Sequence, residues 1–114
     1  MKRALLLCML IACAKHQDPA PAKVPALTGD EIQRSQDACK VYVDKVCACA
    51  AQVPALKHQC DLAKALPDAV QVGVDVAANP ATKPQDIYGA QSSVRKTTRT
   101  CIEETAKLPS LGCP

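Results

Sequence analysis

Eight cysteines in 114 residues constrain this chain more than any other feature. An even set of cysteines in so short a protein is a disulfide framework if the chain is exported. In a reducing compartment the same residues read as metal ligands or redox groups. The rest of the composition makes cross-links necessary. There is no Trp or Phe, the aromatics are Tyr42 and Tyr88, and much of the 48% apolar content is Ala. Residues 28–114 cannot bury much large apolar surface, and a cross-link contributes typically about 2–4 kcal/mol. The compartment therefore decides how the cysteines are read, and the N-terminus speaks to the compartment.

Met1-Lys2-Arg3 is a short positive segment, followed from Ala4 to Ala12 by the uninterrupted apolar run ALLLCMLIA. Such a run reaches about 14 Å as a helix, whereas a bilayer core needs roughly twenty residues. It reads as the apolar region of a signal peptide. The next residues, Leu10-Ile11-Ala12-Cys13, resemble the lipobox of bacterial lipoproteins: an aliphatic residue, a tolerant position, a small residue, then Cys. The resemblance implies cleavage between Ala12 and Cys13, diacylglycerol on the Cys13 sulfur and acylation of the new N-terminus. More than one acyl chain satisfies what stable anchoring requires. Cys8 also follows leucines, but Leu7 before it is too bulky for the small-residue subsite. In Gram-negative lipoproteins Asp after the lipidated Cys favours inner-membrane retention; Ala14 implies the outer membrane instead.

The formal charge is +3, and loss of Lys2 and Arg3 leaves a net +1. No strong field points to nucleic acid or an acidic substrate. Residues 13–27 read as the lipidated N-terminus and a tether: AKHQDPAPAKVPAL, 14–27, carries Pro19, Pro21 and Pro25 and no apolar periodicity. In polyproline II it spans about 40 Å at most. His16 belongs to this solvated spacer.

The rest, 28–114, reads as an all-α domain, a hairpin or bundle of three to four helices. Thr28-Gly29-Asp30-Glu31 is a capping box opening a helix to about Ala51. Its apolar residues at 32, 39, 43, 46 and 50 trace one face. Pro54 suits the first turn of a second helix, with Leu56, Cys60, Ala63 and Leu66 inward and Pro67 ending or kinking it. In AVQVGVDVA, 69–77, Val70, Val72, Val74 and Val76 alternate with polar residues or Gly, a strand period. A lone strand has no pairing partner, and Pro67-Asp68 can start a helix, so a short third helix is expected. Pro84-Gln85-Asp86 opens a last helix to about Leu108, with Ile87, Ala90, Val94, Cys101 and Ile102 on or near its buried side. Pro109 ends it.

With Cys8 removed and Cys13 lipidated, Cys39, Cys47, Cys49, Cys60, Cys101 and Cys113 remain, an even set that can form three disulfides. Six cysteines allow 15 pairings. An antiparallel hairpin of the first two helices, with the last helix parallel to the first, favours Cys49–Cys60, Cys47–Cys101 and Cys39–Cys113. Val46-Cys47-Ala48-Cys49 with downstream Cys60 is similar to small cysteine-rich helical bacterial lipoproteins, a resemblance that implies no activity.

The competing chemistry is a metal or thiol-redox cluster of Cys47, Cys49, His58 and Cys60, since thiolates and imidazole suit zinc or copper(I). Residues i and i+2 of a helix diverge by about 200°, which is awkward for one ion, and oxidation would consume the thiols. A redox dithiol usually sits as C-x-x-C at a helix N-terminus, whereas these cysteines are near a C-terminus. No C-x-x-C-H, G-x-S-x-G or Gly-rich phosphate loop is present. Glu103-Glu104 are adjacent on an exposed helix and do not face each other. Arg95, Lys96 and Arg99 form a small solvated basic face that could meet anionic lipid or glycan. Tyr42 and Tyr88 are packing groups.

The expectation is a non-enzymatic, lipid-anchored envelope protein without cofactor. Its partners would be the membrane, through the lipid, and an envelope protein, with no nucleic acid and no small-molecule substrate. It would stand on the outer membrane, facing the periplasm or the cell surface. A secreted, unanchored inhibitor or toxin-like peptide is the remaining class.

Overall fold

Thr28 opens the first helix as expected: its backbone is extended and its Oγ1 accepts the Glu31 N–H at 3.2 Å. The computed structural model describes residues 23–114. The lipobox Leu10–Cys13, the cleavage site, Cys8 and His16 lie outside the described residues. Within them the order is α1 (Gly29–Ala50), a 3-10 turn (Pro54–Leu56), α2 (Lys57–Ala63), α3 (Leu66–Ala78), α4 (Pro84–Lys107) and a closing 3-10 turn (Leu108–Leu111). No strand occurs among the described residues. The domain is all-α and stapled by three disulfides.

Only half of the expected capping box is made, because the Glu31 carboxylate turns away from the cap to Arg95. The buried stripe of α1 is Ser35, Cys39, Tyr42, Val46 and Cys49. The expected stripe shares only Cys39 and Val46 with it; Ile32, Val43 and Ala50 are half-buried. The disulfides hold Cys39 and Cys49 inward, and the face between them follows.

α2 stops at Ala63, ahead of Pro67. Proline at 67 has no N–H to give the Ala63 carbonyl and crowds it, so the helix breaks there. Leu66 therefore belongs to α3, with Pro67 and Asp68 in its first turn, where an N–H is not needed and a carboxylate is favoured. α3 resolves the valine alternation. Residues two apart on a helix point about 200° apart, so the four valines serve two faces. Val70 is fully buried and Val74 half-buried, while Val72 and Val76 are 61% and 36% exposed. The strand-like period is a helix with two apolar sides.

Asn79 closes α3 in extended backbone, its Oδ1 accepting from Ala81 N–H at 2.9 Å. Pro84 then starts α4 at a position that tolerates a missing donor. α1 runs one way, α2 and α3 return, and α4 runs parallel to α1. Glu31 meets Arg95, Cys39 meets Cys101, and Cys49 meets Cys113 in succession. Tyr42, Val46, Leu56, Ala63, Val70, Val94 and Leu108 fill the core between the cysteines. The segment after Pro109 is part of the fold, because Gly112 (φ 90°) turns the chain so that buried Cys113 reaches α1. Among the described residues no helix is long and apolar enough to cross a membrane.

Candidate functional site

The cysteines were the strongest candidates for chemistry, and each of the six is disulfide-bonded. The pairs are Cys39–Cys101, Cys47–Cys60 and Cys49–Cys113. These replace the expected Cys47–Cys101, Cys49–Cys60 and Cys39–Cys113. Two facts of geometry explain the difference. Cys47 and Cys49 diverge by about 200° on α1, so Cys47 faces α2 from a half-buried position while Cys49 faces the interior. The parallel register of α1 and α4 also places Cys101 level with Cys39. Cys47 is two turns further along, about 12 Å away.

The alternative cluster of Cys47, Cys49, His58 and Cys60 is not assembled. Cys47 is bonded to Cys60, Cys49 points elsewhere to Cys113, and His58 is exposed. No thiolate of that set is free to ligate an ion, and the C-x-C pair is not a dithiol. Among the described residues no group of three or more His, Cys, Asp or Glu could hold a metal.

The expected basic face is divided. Arg95 turns inward and is structural: Nε and Nη2 donate to the two Glu31 carboxylate oxygens at 2.6 and 3.0 Å. Nη2 also donates to the Pro25 carbonyl at 3.0 Å. The hydrogen bond from Arg95 holds the Glu31 carboxyl below its ordinary pKa, against the opposing effect of burial; the Thr28 bond adds to the lowering. Buried Gln91, with its amide nitrogen toward the same segment, donates to the Pro25 and Val24 carbonyls at 3.3 and 3.2 Å. Leu27 packs on the core. The end of the stretch read as tether is thus fastened to the bundle. Sequence reasoning placed Arg95 outside; the match of Glu31 with Arg95 depends on the α1–α4 register.

Lys96 and Arg99 remain exposed. Glu103 is exposed, and Glu104 binds Lys107 at 2.7 Å rather than forming a carboxylate pair. Tyr42 is a packing group, and burial pushes its hydroxyl pKa up, reinforced by Glu104 and opposed by Lys107. Tyr88 is half-buried.

What the fold offers outward are grooves. Between α1 and α4, Asp30, Arg34, Asp37, Ala38, Val41 and Ile102 line an open groove of about 540 Å³. Ile102 was expected near the buried side and is 52% exposed. Its neighbour Cys101 is held inward by Cys39, which turns residue 102 out by about 100°. Beside it, Arg34, Arg95, Arg99 and Glu103 border a cleft of about 370 Å³, mixed in charge. On the other side of α4, Ala69, Val72 and Val76 of α3 face Asp86, Gly89 and Ser93 across a groove of about 500 Å³. The outward valines were not foreseen as a surface feature, although their alternation was the available signal.

These surfaces present apolar and charged side chains to solvent. Comparison with family models, with curated proteins and with solved structures gives no match for this chain.

Proposed function

We propose that the chain is a non-enzymatic bacterial lipoprotein of the cell envelope, a structural or protein-interaction module. Cys13 carries the lipid, a proline-rich tether spaces the domain from the membrane, and the helical domain meets an envelope protein. The observation that carries this reading is that all six cysteines after Cys13 are paired. Disulfides form and persist in oxidising compartments, which accords with export by the Met1–Ala12 segment. The resemblance of Leu10–Cys13 to a lipobox supports the anchor, and Ala14 supports the outer membrane, with the domain on its periplasmic or outer side. The grooves along α4 support contact with a protein rather than turnover of a small molecule.

Intact mass of the protein from its native host, before and after alkylation without reductant, tests the reading. The expected result is a chain starting at Cys13 with added acyl mass, six hydrogens missing and no alkylation. A chain starting without lipid would remove the anchor. Alkylatable thiols, or an adduct lost to a chelator, would replace the module with a metal or redox protein.

A further inference from the structure

Gln91 is 5% exposed, and an amide so buried costs the fold unless its polar groups are met. Its nitrogen donates to the Val24 and Pro25 carbonyls at 3.2 and 3.3 Å, both in the segment ahead of the Thr28 cap. Arg95, one turn further along α4, donates from Nη2 to the Pro25 carbonyl at 3.0 Å, a charge-assisted bond. The same guanidinium is held in place by both oxygens of Glu31. Pro25 brings a restricted φ and no N–H, so ordering it costs little and leaves no donor unmet. Leu27 then packs on the core. With Ala26 it lines a cavity of about 110 Å³ beside Ile32, Val74 and Ala77. Residues 24–27 are therefore a strap belonging to the folded body. A chain held only at Thr28 could swivel about the cap; gripped carbonyls and a seated Leu27 give the entering chain a direction.

The strap lies at one end of the bundle. Glu31 and Arg95 stand level on parallel α1 and α4, and Val74 and Ala77, near the end of α3, reach the same level. From Gln91 back to Pro84, α4 continues for about 10 Å. The tip of the α3–α4 hairpin, 79–83, thus projects past the strap. The opposite end is closed by Cys49–Cys113, about 27 Å from Glu31 along α1. With the strap in the body, the spacer after Cys13 is 14–23, about 30 Å at most in polyproline II.

We propose that Gln91 and Arg95 clamp the entering chain, ending the spacer at Lys23 and holding the α3–α4 hairpin tip toward the membrane. The end closed by Cys49–Cys113 is then the one left free for an envelope partner. The direction rests on the reading of Cys13 as the anchor; the clamp does not.

Trypsin tests the clamp in the oxidised full chain. Cleavage after Lys23 requires Val24 and Pro25 to leave α4, so it follows opening of the strap. Gln91→Ala and Arg95→Met are each expected to speed cleavage after Lys23 at least about tenfold, the effect of losing bonds of this strength. Cleavage after Lys45, in the middle of α1, is expected to keep its rate, because a merely destabilised domain would open both sites. An unchanged rate at Lys23 in both variants, or equal acceleration at Lys45, would overturn the clamp.

The direction is read on nanodiscs. The oxidised mature chain is joined through the Cys13 thiol to a maleimide lipid, in discs that carry a gadolinium-chelating lipid. The amide signals of Thr82 and Lys83 are expected to lose intensity while those of Gln52 and Leu111 keep it. The contrast is expected to shrink in Gln91→Ala/Arg95→Met. Equal loss at both ends, or greater loss at Gln52 and Leu111, would overturn the direction. A native-host mass without acyl addition removes the direction together with the anchor, and the clamp then stands or falls on the trypsin result.

Discussion

A Cβ placed on Gly73 would lie 2.6 Å from Val94 Cγ2, and Val94 is itself 1% exposed. α3 thus meets α4 with its backbone against a β-branched side chain that has no room to retreat. Gly73→Ala gains helix propensity but overpacks this contact, for a net loss of about 1–2 kcal/mol. Thermal unfolding should show Tm lower by about 5–10 °C. The double variant Gly73→Ala/Val94→Ala should cost less than the sum of the single ones, because each relieves the other. Additive losses would mean that the two residues are not in contact.

The three disulfides should differ in two ways. Cys39–Cys101 and Cys47–Cys60 close loops with sequence separations of 62 and 13. On the chain-entropy account the longer loop is worth about 1.4 kcal/mol more. Replacing Cys39 and Cys101 together by Ala should therefore lower stability in urea more than replacing Cys47 and Cys60. The order of reduction follows access. Cys47 is half-buried whereas Cys39 and Cys101 are both 0% exposed. Mild reductant followed by alkylation and peptide mapping should label Cys47 and Cys60 first and Cys39 and Cys101 last.

The ion pair of Glu31 with Arg95 gives a pH dependence whose sign follows from the lowered Glu31 pKa. A carboxyl with a folded pKa below its unfolded one stabilises the fold fully above the unfolded value. That contribution is lost as pH falls through the folded one. Both side chains are partly exposed, at 30% and 27%. Glu31→Gln should thus cost no more than about 1 kcal/mol near neutrality. The difference from the parent should hold down to the ordinary carboxylate range and shrink as pH falls below it. Urea unfolding at several pH values measures it; a constant difference would place the effect elsewhere, for example in the Thr28 cap.

Helix punctuation was readable because it is local chemistry. Thr28 caps, and Pro54, Pro67 and Pro84 lack donors where helices begin. The even count of cysteines likewise foretold that all six could pair. Partner choice was not readable, since it depends on the rotation of α1 about its axis and on the register between α1 and α4. One residue of rotation moves the buried face from Val43 and Ala50 to Tyr42 and Cys49. The same register hides the Arg95 clamp, whose acid lies 64 residues earlier. The valines of α3 show a different limit. Their period was visible, but two apolar faces on one helix mimic one face of a strand until a neighbour is seen to cover only Val70 and Val74.

Gly112 governs the last staple. It holds φ 90°, the left-handed region, where its N–H is shared between the Leu108 and Pro109 carbonyls and the Cys113 N–H reaches the Leu108 carbonyl. This is a helix end closed by a left-handed glycine, and it delivers Cys113 to Cys49. A Cβ there has space, its nearest neighbour being Val53 Cγ2 at 3.8 Å, so the obstacle to substitution is backbone conformation rather than crowding. Gly112→Ala should cost about 1–2 kcal/mol. Gly112→Asn should cost less, since Asn tolerates the left-handed region. Because the turn precedes the cross-link, refolding in a glutathione buffer should leave a larger fraction of Cys49 and Cys113 alkylatable in the Ala variant than in the parent, with Asn between. Equal oxidation in all three would show that Cys113 reaches α1 without the turn.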